Sequence, residues 1–325
     1  EKQISKDIIL EAIENSLLAA CKNQFGKSEN IRVNIDRETG EVKVFADYEV
    51  VEDDMIEDDA LQIGITEAKL RFRDDVEVGE KVSTEVTPKN FGRIAAQKAK
   101  QVVVQKIREE ERKVLYVQYL EKEREVITGI VQRYSGKNVC INLGRVDAIL
   151  MESEQVRGEH FRPTEHIKLY VVEVKDTPKG PRITVSRSHP EFVKRLFEEE
   201  VTEIQDGIVT IESIAREAGS RTKIAVSTVD PNVDAVGACV GMNGSRVNAI
   251  VNELRGEKID IVNWSDMPEI FIENALSPAV VMDVSIDEYE KTARVIVPEN
   301  QLSLAIGKEG QNARLAAKLT GYKID

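Results

Sequence analysis

One series of predicted elements occurs twice in the last third of the chain, and this repeat constrains the fold more than any other feature. The copies are centred on two Gly-x-x-Gly tetrapeptides, Gly241–Gly244 and Gly307–Gly310, and an amphipathic helix is predicted after each. A helix, two apolar strands and a short helical run are predicted before each tetrapeptide, and a strand closes each copy. The repeat therefore predicts two similar small domains in series.

The glycines of each tetrapeptide suit a place where a phosphate backbone approaches the main chain. Glycine has no side chain to block that approach, and the helix that follows offers unpaired N–H groups and the positive end of its dipole. This order of elements is that of the KH module, whose loop clamps about four nucleotides of RNA. A single Gly-x-x-Gly would indicate only a turn, so the prediction depends on the repetition. The candidate RNA contacts are Gly241, Met242, Asn243, Gly244, Arg246, Gly307, Lys308, Glu309, Gly310 and Arg314.

Apolar residues flank both tetrapeptides and are expected to form the core and the floor of a groove. They are Val236 and Val240 in the first copy, and Leu304 and Ile306 in the second. Most of the four are expected to be core.

Other phosphate-binding motifs fail on spacing. A Walker loop ending at Gly307-Lys308 requires Gly at position 302 and Ser or Thr at position 309, where the chain has Leu302 and Glu309. A dinucleotide-binding fingerprint ending at the first tetrapeptide requires Gly at position 239, which is Cys239. No nucleoside triphosphate site is predicted.

The histidines and cysteines do not indicate catalysis or metal binding. The three histidines lack clustered acidic or thiol partners, and the three cysteines are far apart in apolar surroundings: His160, His166, His189, Cys21, Cys140 and Cys239. We therefore expect no enzyme activity, cofactor or metal, and a reduced, cytoplasmic location.

The middle of the chain, from Val126 to Ser186, has the pattern of a small β-barrel. Five short strands separated by turns in this stretch predict a Greek-key barrel of the OB type. Such barrels bind single strands by stacking bases on exposed aromatic side chains in a basic groove. The main candidates are Tyr134, Lys137, Phe161 and Arg162, with His160, Arg133 and Arg145 beside them. Each of these residues could equally have an ordinary surface or core role.

The first part of the chain predicts a mixed α/β domain. An amphipathic helix from Ile4 to Ala20 is followed by a hairpin that pairs Ile31–Ile35 with a strand starting at Val42. A long helix is predicted from Phe91 to about Glu123, and its mixed charge is typical of a connector between domains.

The stretch from Val51 to Asp59 is dense in carboxylates. It could hold a divalent metal or work as acid and base, or it could be a solvated acidic loop or an electrostatic docking surface. The second interpretation is favoured because adjacent carboxylates rarely converge on one ion.

The charge balance limits which features of the chain could supply affinity for RNA. The net charge is -13, and a basic footprint is the usual mark of a nucleic-acid binder. Residues 1–123 hold 20 basic and 27 acidic side chains, residues 124–190 hold 11 and 8, and residues 191–325 hold 14 and 23. Only the middle segment is basic, so RNA affinity must come from local geometry and from several modules acting together.

Six stretches spread along the chain carry a family resemblance: Phe91–Gln101, Ser186-Arg187, Leu196–Val201, Ile214–Val226, Val236–Val247 and Glu253–Ile261. On these residues the chain resembles the bacterial NusA family over essentially its whole length. It departs from the family pattern at Asn243, where Arg is frequent, and at Thr202 and Ala235, where Pro is usual. The first departure implies a weaker hold on phosphate.

The resemblance implies a multidomain α+β protein. Residues 1–123 would be an RNA-polymerase-binding domain with a connector helix, residues 124–190 an S1 domain of OB fold, and residues 191–275 and 276–325 two KH domains. It also implies a factor that docks near the RNA exit channel, promotes pausing and hairpin-dependent termination, and joins antitermination complexes. RNA polymerase, nascent RNA and other antitermination factors would be its partners, with no membrane association and a free monomer. The alternatives are a ribosome-associated or translation-associated RNA binder and an accessory subunit of an RNA-degrading enzyme.

Overall fold

The computed structural model describes residues 6–25, 30–89 and 91–325. The chain divides between Val114 and Leu115 into two compact units. No helix in these described ranges is long and apolar enough to cross a membrane.

The first unit packs helices on a mixed sheet. Its elements are α1 (Lys6–Phe25), β1 (Ile31–Ile35), β2 (Val42–Val51), β3 (Gln62–Gly64), α2 (Ile65–Arg71), β4 (Lys81–Glu85) and the larger part of α3 (Phe91–Leu120). Strand β2 pairs antiparallel with β1 and β4 and parallel with β3. Val33 and Ile35, alternate residues of β1, belong to one core cluster with Ile13 and Leu17 of α1. The predicted hairpin is confirmed, and the first helix is confirmed from Lys6; Ile4 lies outside the described residues.

The long helix α3 has 30 residues, which corresponds to a rod of about 45 Å. Its last turns belong to the second unit, where Leu115, Tyr116 and Tyr119 pack against the barrel core. The Tyr119 hydroxyl donates a hydrogen bond to the Leu143 carbonyl at 2.8 Å. The end of the helix is thereby fixed to the barrel rather than left in solvent.

The second unit begins with a closed barrel. Its strands are β5 (Val126–Ser135), β6 (Asn138–Asn142), β7 (Asp147–Leu150), β8 (His166–Lys175) and β9 (Arg182–Ser186). They close in the order β5-β6-β7-β9-β8, with only β7 and β9 parallel. Gly129 permits a close crossing, because a Cβ there would overlap the side chain of Ile141. The predicted OB-type barrel is confirmed.

The first repeat copy follows the barrel. It consists of α4 (Pro190–Glu200), α5 (Thr202–Gln205), β10 (Val209–Glu217), β11 (Arg221–Thr228), α6 (Ala235–Val240), α7 (Ser245–Glu253) and β12 (Lys258–Asn263). Strand β11 pairs antiparallel with β10 and parallel with β12. Phe192 and Phe197 of α4 are fully buried with Cys239 and Ile250 beneath the sheet.

The second copy repeats that topology. It consists of α8 (Pro268–Ala275), β13 (Asp283–Asp287), β14 (Thr292–Ile296), α9 (Glu299–Ile306), α10 (Gln311–Thr320) and β15 (Lys323–Ile324). Strand β14 again pairs antiparallel with the strand before it and parallel with the last strand. Both predicted repeat units, helix–strand–strand–helix–loop–helix–strand, are confirmed.

Candidate nucleic-acid interface

The two Gly-x-x-Gly loops have the same backbone conformation. At the first glycine, φ and ψ are 77° and 171° in one loop and 74° and 174° in the other. At the third residue they are 52° and 28° against 53° and 30°, and at the last glycine 75° and 15° against 75° and 11°. Positive φ is strained for residues with a Cβ, which explains the glycines at both ends. The sequence repeat is therefore also a repeat of backbone geometry.

The first glycine of each loop makes room for the residue five positions later. A Cβ on Gly241 would lie 2.8 Å from Cγ of Arg246, and one on Gly307 would lie 2.8 Å from Cβ of Asn312. Both later residues reach back to the preceding helix: Arg246 Nη1 donates to the Ala238 carbonyl at 2.7 Å, and Asn312 Nδ2 donates to the carbonyls of Leu304 and Ala305. Each loop is thus closed by a side chain that satisfies carbonyls at the end of α6 or α9.

The middle residues of the loops are exposed. Met242 is 84% exposed, and Asn243, Lys308 and Glu309 are also exposed. Within the described part of the chain, Lys308 has no ion-pair partner. The helices α7 and α10 start directly after the loops, and the N–H groups of their first residues, Ser245 and Gln311, donate to the carbonyls of Met242 and Lys308 in the loops. An approaching phosphate would therefore meet the positive end of a helix dipole at both loops and one additional cation at the second.

The two arginines that were predicted to supply charge near the loops each have a carboxylate partner. Arg246 lies 2.7 Å from the Glu203 carboxylate, and Arg314 Nε lies 2.5 Å from that of Glu217. Hydrogen bonds from Arg314 and from Gln311 hold the pKa of Glu217 below its ordinary value. Because each guanidinium already has a carboxylate partner, these arginines stabilise the fold and contribute little net positive potential.

The apolar residues beside the loops differ between the copies. Val236 is partly buried against the first KH core, and Val240 is also partly buried. Most of the four flanking residues were expected to be core, but Leu304 and Ile306 are about half exposed, as is Leu302. The second copy therefore offers the larger apolar surface next to its loop.

Of the barrel candidates, Tyr134, Lys137 and Arg162 lie at the surface. Tyr134 is exposed, and its hydroxyl accepts a hydrogen bond from the Phe161 N–H at 3.0 Å. Lys137 pairs with Glu152 at 2.8 Å, which raises the pKa of the lysine. The Arg162 side chain is exposed.

Phe161 does not fit its predicted role as an exposed base-stacking residue. It is 4% exposed and belongs to the barrel core. The guanidinium of Arg255, from the first KH copy, lies over its ring at 4.8 Å, and that of Arg187 at 5.8 Å. The ring is therefore used in the joint between the barrel and the first KH copy and has no free face for a base.

The main residue of that joint, Arg187, was not predicted from the sequence. It is 1% exposed and donates two parallel hydrogen bonds to Glu159, at 2.8 and 2.7 Å. It also donates to the carbonyls of Lys168 in the barrel and Glu253 at the end of α7, at 2.8 and 2.9 Å. One side chain thereby joins the barrel to the first KH copy. The only sequence signal was a basic residue directly after a buried strand.

A second joint holds the KH copies together. Lys223 of β11 is fully buried; its Nζ donates to the Ser277 carbonyl at 2.7 Å and lies 3.0 Å from the Asp260 carboxylate. Ala225 and Val262 of the first sheet share one hydrophobic cluster with residues of α8 and α10, among them Phe271, Ile272, Leu315 and Leu319. A cavity of about 540 Å³ runs beside this joint between the first sheet and the start of the second copy. The KH copies thus form one continuous body.

The structure contains no group of three His, Cys, Asp or Glu side chains that could hold a metal ion, among the residues it describes. His189 accepts a hydrogen bond from the Glu191 N–H at the start of α4 and stacks on Tyr170 at 4.9 Å.

An OB-type barrel joined to two KH copies defines a multidomain class of RNA-binding proteins. Family models match three parts of the chain: the NusA N-terminal domain at residues 1–113, the NusA-like first KH domain at 187–264, and the NusA-like second KH domain at 268–325. The chain belongs to the NusA family.

Relatives that match the whole of this chain support that assignment. The transcription termination/antitermination protein NusA of Bacillus subtilis (strain 168) is 56% identical over 325 residues, which cover 100% of this chain and 87% of the relative. The protein of the same description from Halalkalibacterium halodurans is 54% identical, covering 100% and 84%. That from Thermus thermophilus is 42% identical over 335 residues, covering 100% and 86%. These descriptions agree with the transcription hypothesis and give no support to the ribosomal or RNA-degrading alternatives.

Proposed function

We propose that this chain is a non-catalytic transcription factor that holds nascent single-stranded RNA on its KH pair and barrel while its N-terminal unit docks on RNA polymerase. Through these two contacts it modulates pausing, and also termination and antitermination, which the descriptions of its relatives name. It would be a cytoplasmic protein, a monomer when free, that joins complexes with other antitermination factors.

The proposal that the chain binds RNA depends on one observation: the two Gly-x-x-Gly loops have the same geometry and belong to one continuous body. Each loop presents a glycine-lined approach to the positive end of a helix dipole, so two short stretches of one RNA strand can be held at once. Two weak sites on one rigid body bind a strand far more tightly than either alone, because the second contact is intramolecular.

The open apolar residues of the second copy supply contacts for bases. Leu302 and Ile306 lie one turn apart on α9 and are both about half exposed. Because the loop fixes the backbone of the RNA, bases beside it would turn towards this surface. Asn263 and Asn274 line the cavity beside the joint and would offer amide groups to a strand that passes from one copy to the other.

The domain boundaries belong to the same proposal. Residues 1–123 and 124–190 are the N-terminal and barrel domains, and the first KH domain follows. We place the start of the second KH domain at Pro268 instead of 276, because α8 packs in one cluster with α10 and the family match begins there.

RNA binding is tested by placing acidic residues in the loops. The first variant is Met242→Asp/Asn243→Asp and the second is Lys308→Asp/Glu309→Asp; each makes the net charge more negative by two at exposed positions. We expect each to weaken binding of a single-stranded RNA at least about tenfold, since like charge would face the phosphates. Filter binding of the full chain measures the effect.

Lys323→Asp is the matched control, because it changes the charge equally at an exposed position on β15. If the loop variants bind RNA as tightly as the control, the loops do not hold phosphate and the RNA proposal fails.

A further inference from the structure

A carboxylate of the first KH copy lies beside the Gly-x-x-Gly loop of the second. Glu217 is the last residue of β10, and its side chain reaches the first turn of α10, directly after that loop. It accepts a hydrogen bond from Gln311 Nε2 at 2.8 Å and lies 2.5 Å from Arg314 Nε. Gln311 Nε2 also donates to the Ser220 hydroxyl at 2.7 Å, in the turn between β10 and β11. An anionic group of one copy is therefore fixed next to the loop of the other.

The guanidinium of Arg314 lies against the loop itself. Its Nη1 donates to the Glu309 carbonyl at 3.0 Å, and a Cβ on Gly310 would lie 3.8 Å from the same nitrogen. The side chain of Arg314 is 46% exposed, so a ligand can reach it. In the first copy the corresponding position, four residues after the last glycine, holds Asn248. A guanidinium at this point of the loop is therefore a feature of the second copy alone.

RNA would bring a second anion to the same place. A phosphate that reaches the second loop meets the positive end of the α10 dipole and the fork of Arg314. A guanidinium binds phosphate well because two parallel N–H groups can donate to it. In the free protein, however, Nε of that fork is held by Glu217. The carboxylate and the phosphate therefore compete for one cation.

The contact between Glu217 and Arg314 can be exchanged. The two side chains are 23% and 46% exposed, and ion pairs that water reaches contribute little to stability. An RNA strand brings several phosphates, so it can take the guanidinium at small cost. Glu217 would keep its hydrogen bond from Gln311 after the exchange and would not be left without a donor.

We propose that Glu217 is a built-in competitor of RNA: its carboxylate occupies Arg314 in the free protein, and a phosphate of the bound strand replaces it. This rests on the proposed binding of RNA at the two loops. Because Glu217 belongs to the first copy and Arg314 to the second, the first copy lowers the affinity of the second loop. Arg314 then adds a phosphate contact that is concealed until RNA binds.

The test removes the charge of Glu217 and keeps its shape. We expect Glu217→Gln to bind a single-stranded RNA about fivefold more tightly than the wild type, measured by filter binding of the full chain. The slope of log affinity against log salt should steepen by up to about 0.7, the value for one phosphate of a single strand, because no released carboxylate takes up a cation. Glu288→Gln, at an exposed acid in the turn between β13 and β14, is the matched control, and its affinity should stay within about twofold of the wild type.

A double-mutant cycle separates the release of Arg314 from a general loss of negative charge. Arg314→Gln alone should weaken RNA binding about threefold or more, because one phosphate contact is lost. In that background Glu217→Gln should change the affinity by less than about twofold, since no guanidinium remains to be released. Circular dichroism should be the same for all variants.

The outcomes separate this inference from the RNA proposal. If Glu217→Gln binds RNA no more tightly than the wild type, or gains equally with and without Arg314, Glu217 is not a competitor and the inference is wrong. The variant Lys308→Asp/Glu309→Asp still decides the RNA proposal independently in that case. If the wild-type chain does not bind single-stranded RNA, both are overturned.

Discussion

Replacement of Arg187 by Met tests the joint between the barrel and the first KH copy. The substitution keeps most of the side-chain length and removes the guanidinium. It therefore deletes the paired hydrogen bonds to Glu159 and the bonds to the carbonyls of Lys168 and Glu253, all between 2.7 and 2.9 Å. The Glu159 side chain is only 5% exposed and would be left as a buried charge without its main partner.

The expected decrease in the free energy of unfolding follows from that unpaired charge. Removing one partner of a buried ion pair typically destabilises a protein by about 3–5 kcal/mol. Packing of the Met side chain near Phe161 and Phe192 would offset some of the loss, so we take about 4 kcal/mol. With a urea dependence of about 2.5 kcal/mol per molar, the unfolding midpoint should fall by about 1.5 M.

Trp264 provides the assay. It is the only tryptophan in the chain and directly follows β12. Its backbone N–H donates a hydrogen bond to the Val226 carbonyl at 2.8 Å. Its fluorescence therefore reports on the first KH copy. Arg182→Met is the matched control, because Arg182 is exposed at the start of β9, the strand that ends directly before Arg187. We expect its midpoint to stay within about 0.2 M of the wild type, since surface substitutions usually change stability by less than about 0.5 kcal/mol.

A double-mutant cycle separates pairing from packing. Glu159→Gln removes the charge that Arg187→Met would leave unpaired, so the double variant should be less destabilised than the sum of the single variants by about 2 kcal/mol. A coupling close to zero, or an Arg187→Met midpoint equal to that of the control, would show that the ion pair does not hold the joint.

Two further predictions concern the KH pair. Arg314 and Gln311 lower the pKa of Glu217 below its ordinary value of 4.5, so its contribution to stability is complete above that pH and is lost as the pH falls through the lowered value. Glu217→Gln should remove this part of the acid sensitivity, measured as a flatter melting temperature between about pH 3 and 6; an unchanged pH profile would refute it. Asn312→Leu deletes three hydrogen bonds to carbonyls at a residue that is 1% exposed, so it should lower the free energy of unfolding by about 1–3 kcal/mol. Asn248→Leu, at an exposed site on α7, should change the free energy of unfolding little. Equal melting temperatures for the two variants would contradict the role of Asn312 as a cap.

The elements and the repeat could be predicted from the sequence because their causes are local. Alternating apolar residues define β1, helical spacing defines α1, and glycines with positive φ mark both loops. The barrel was predicted from short strands between turns, although nothing local specified that β7 and β9 would close it in parallel.

The roles of individual side chains were harder to predict because their partners are distant in sequence. Arg246 meets Glu203, 43 residues away, and Arg314 meets Glu217, 97 residues away. Phe161 was a candidate base-stacking residue for which a core role stayed open, and the structure shows that Arg255 from another domain covers its ring. An aromatic or basic residue near a predicted groove therefore remains only a candidate RNA contact until its long-range partners in the fold are known.

The same distant pairing explains how an acidic KH segment can bind RNA. Residues 191–325 hold 23 acidic and 14 basic side chains, a balance that opposes phosphate if all of them face solvent. Glu257, however, is buried against Arg216, while Glu217 and Asp260 pair with cations at the joint between the copies. A carboxylate paired with a guanidinium or an ammonium group adds little negative potential at a distance. The exposed loops are then close to neutral, with Lys308 and the dipoles of the helices that follow as their sources of positive potential, so stable RNA binding requires both loops to act on one strand.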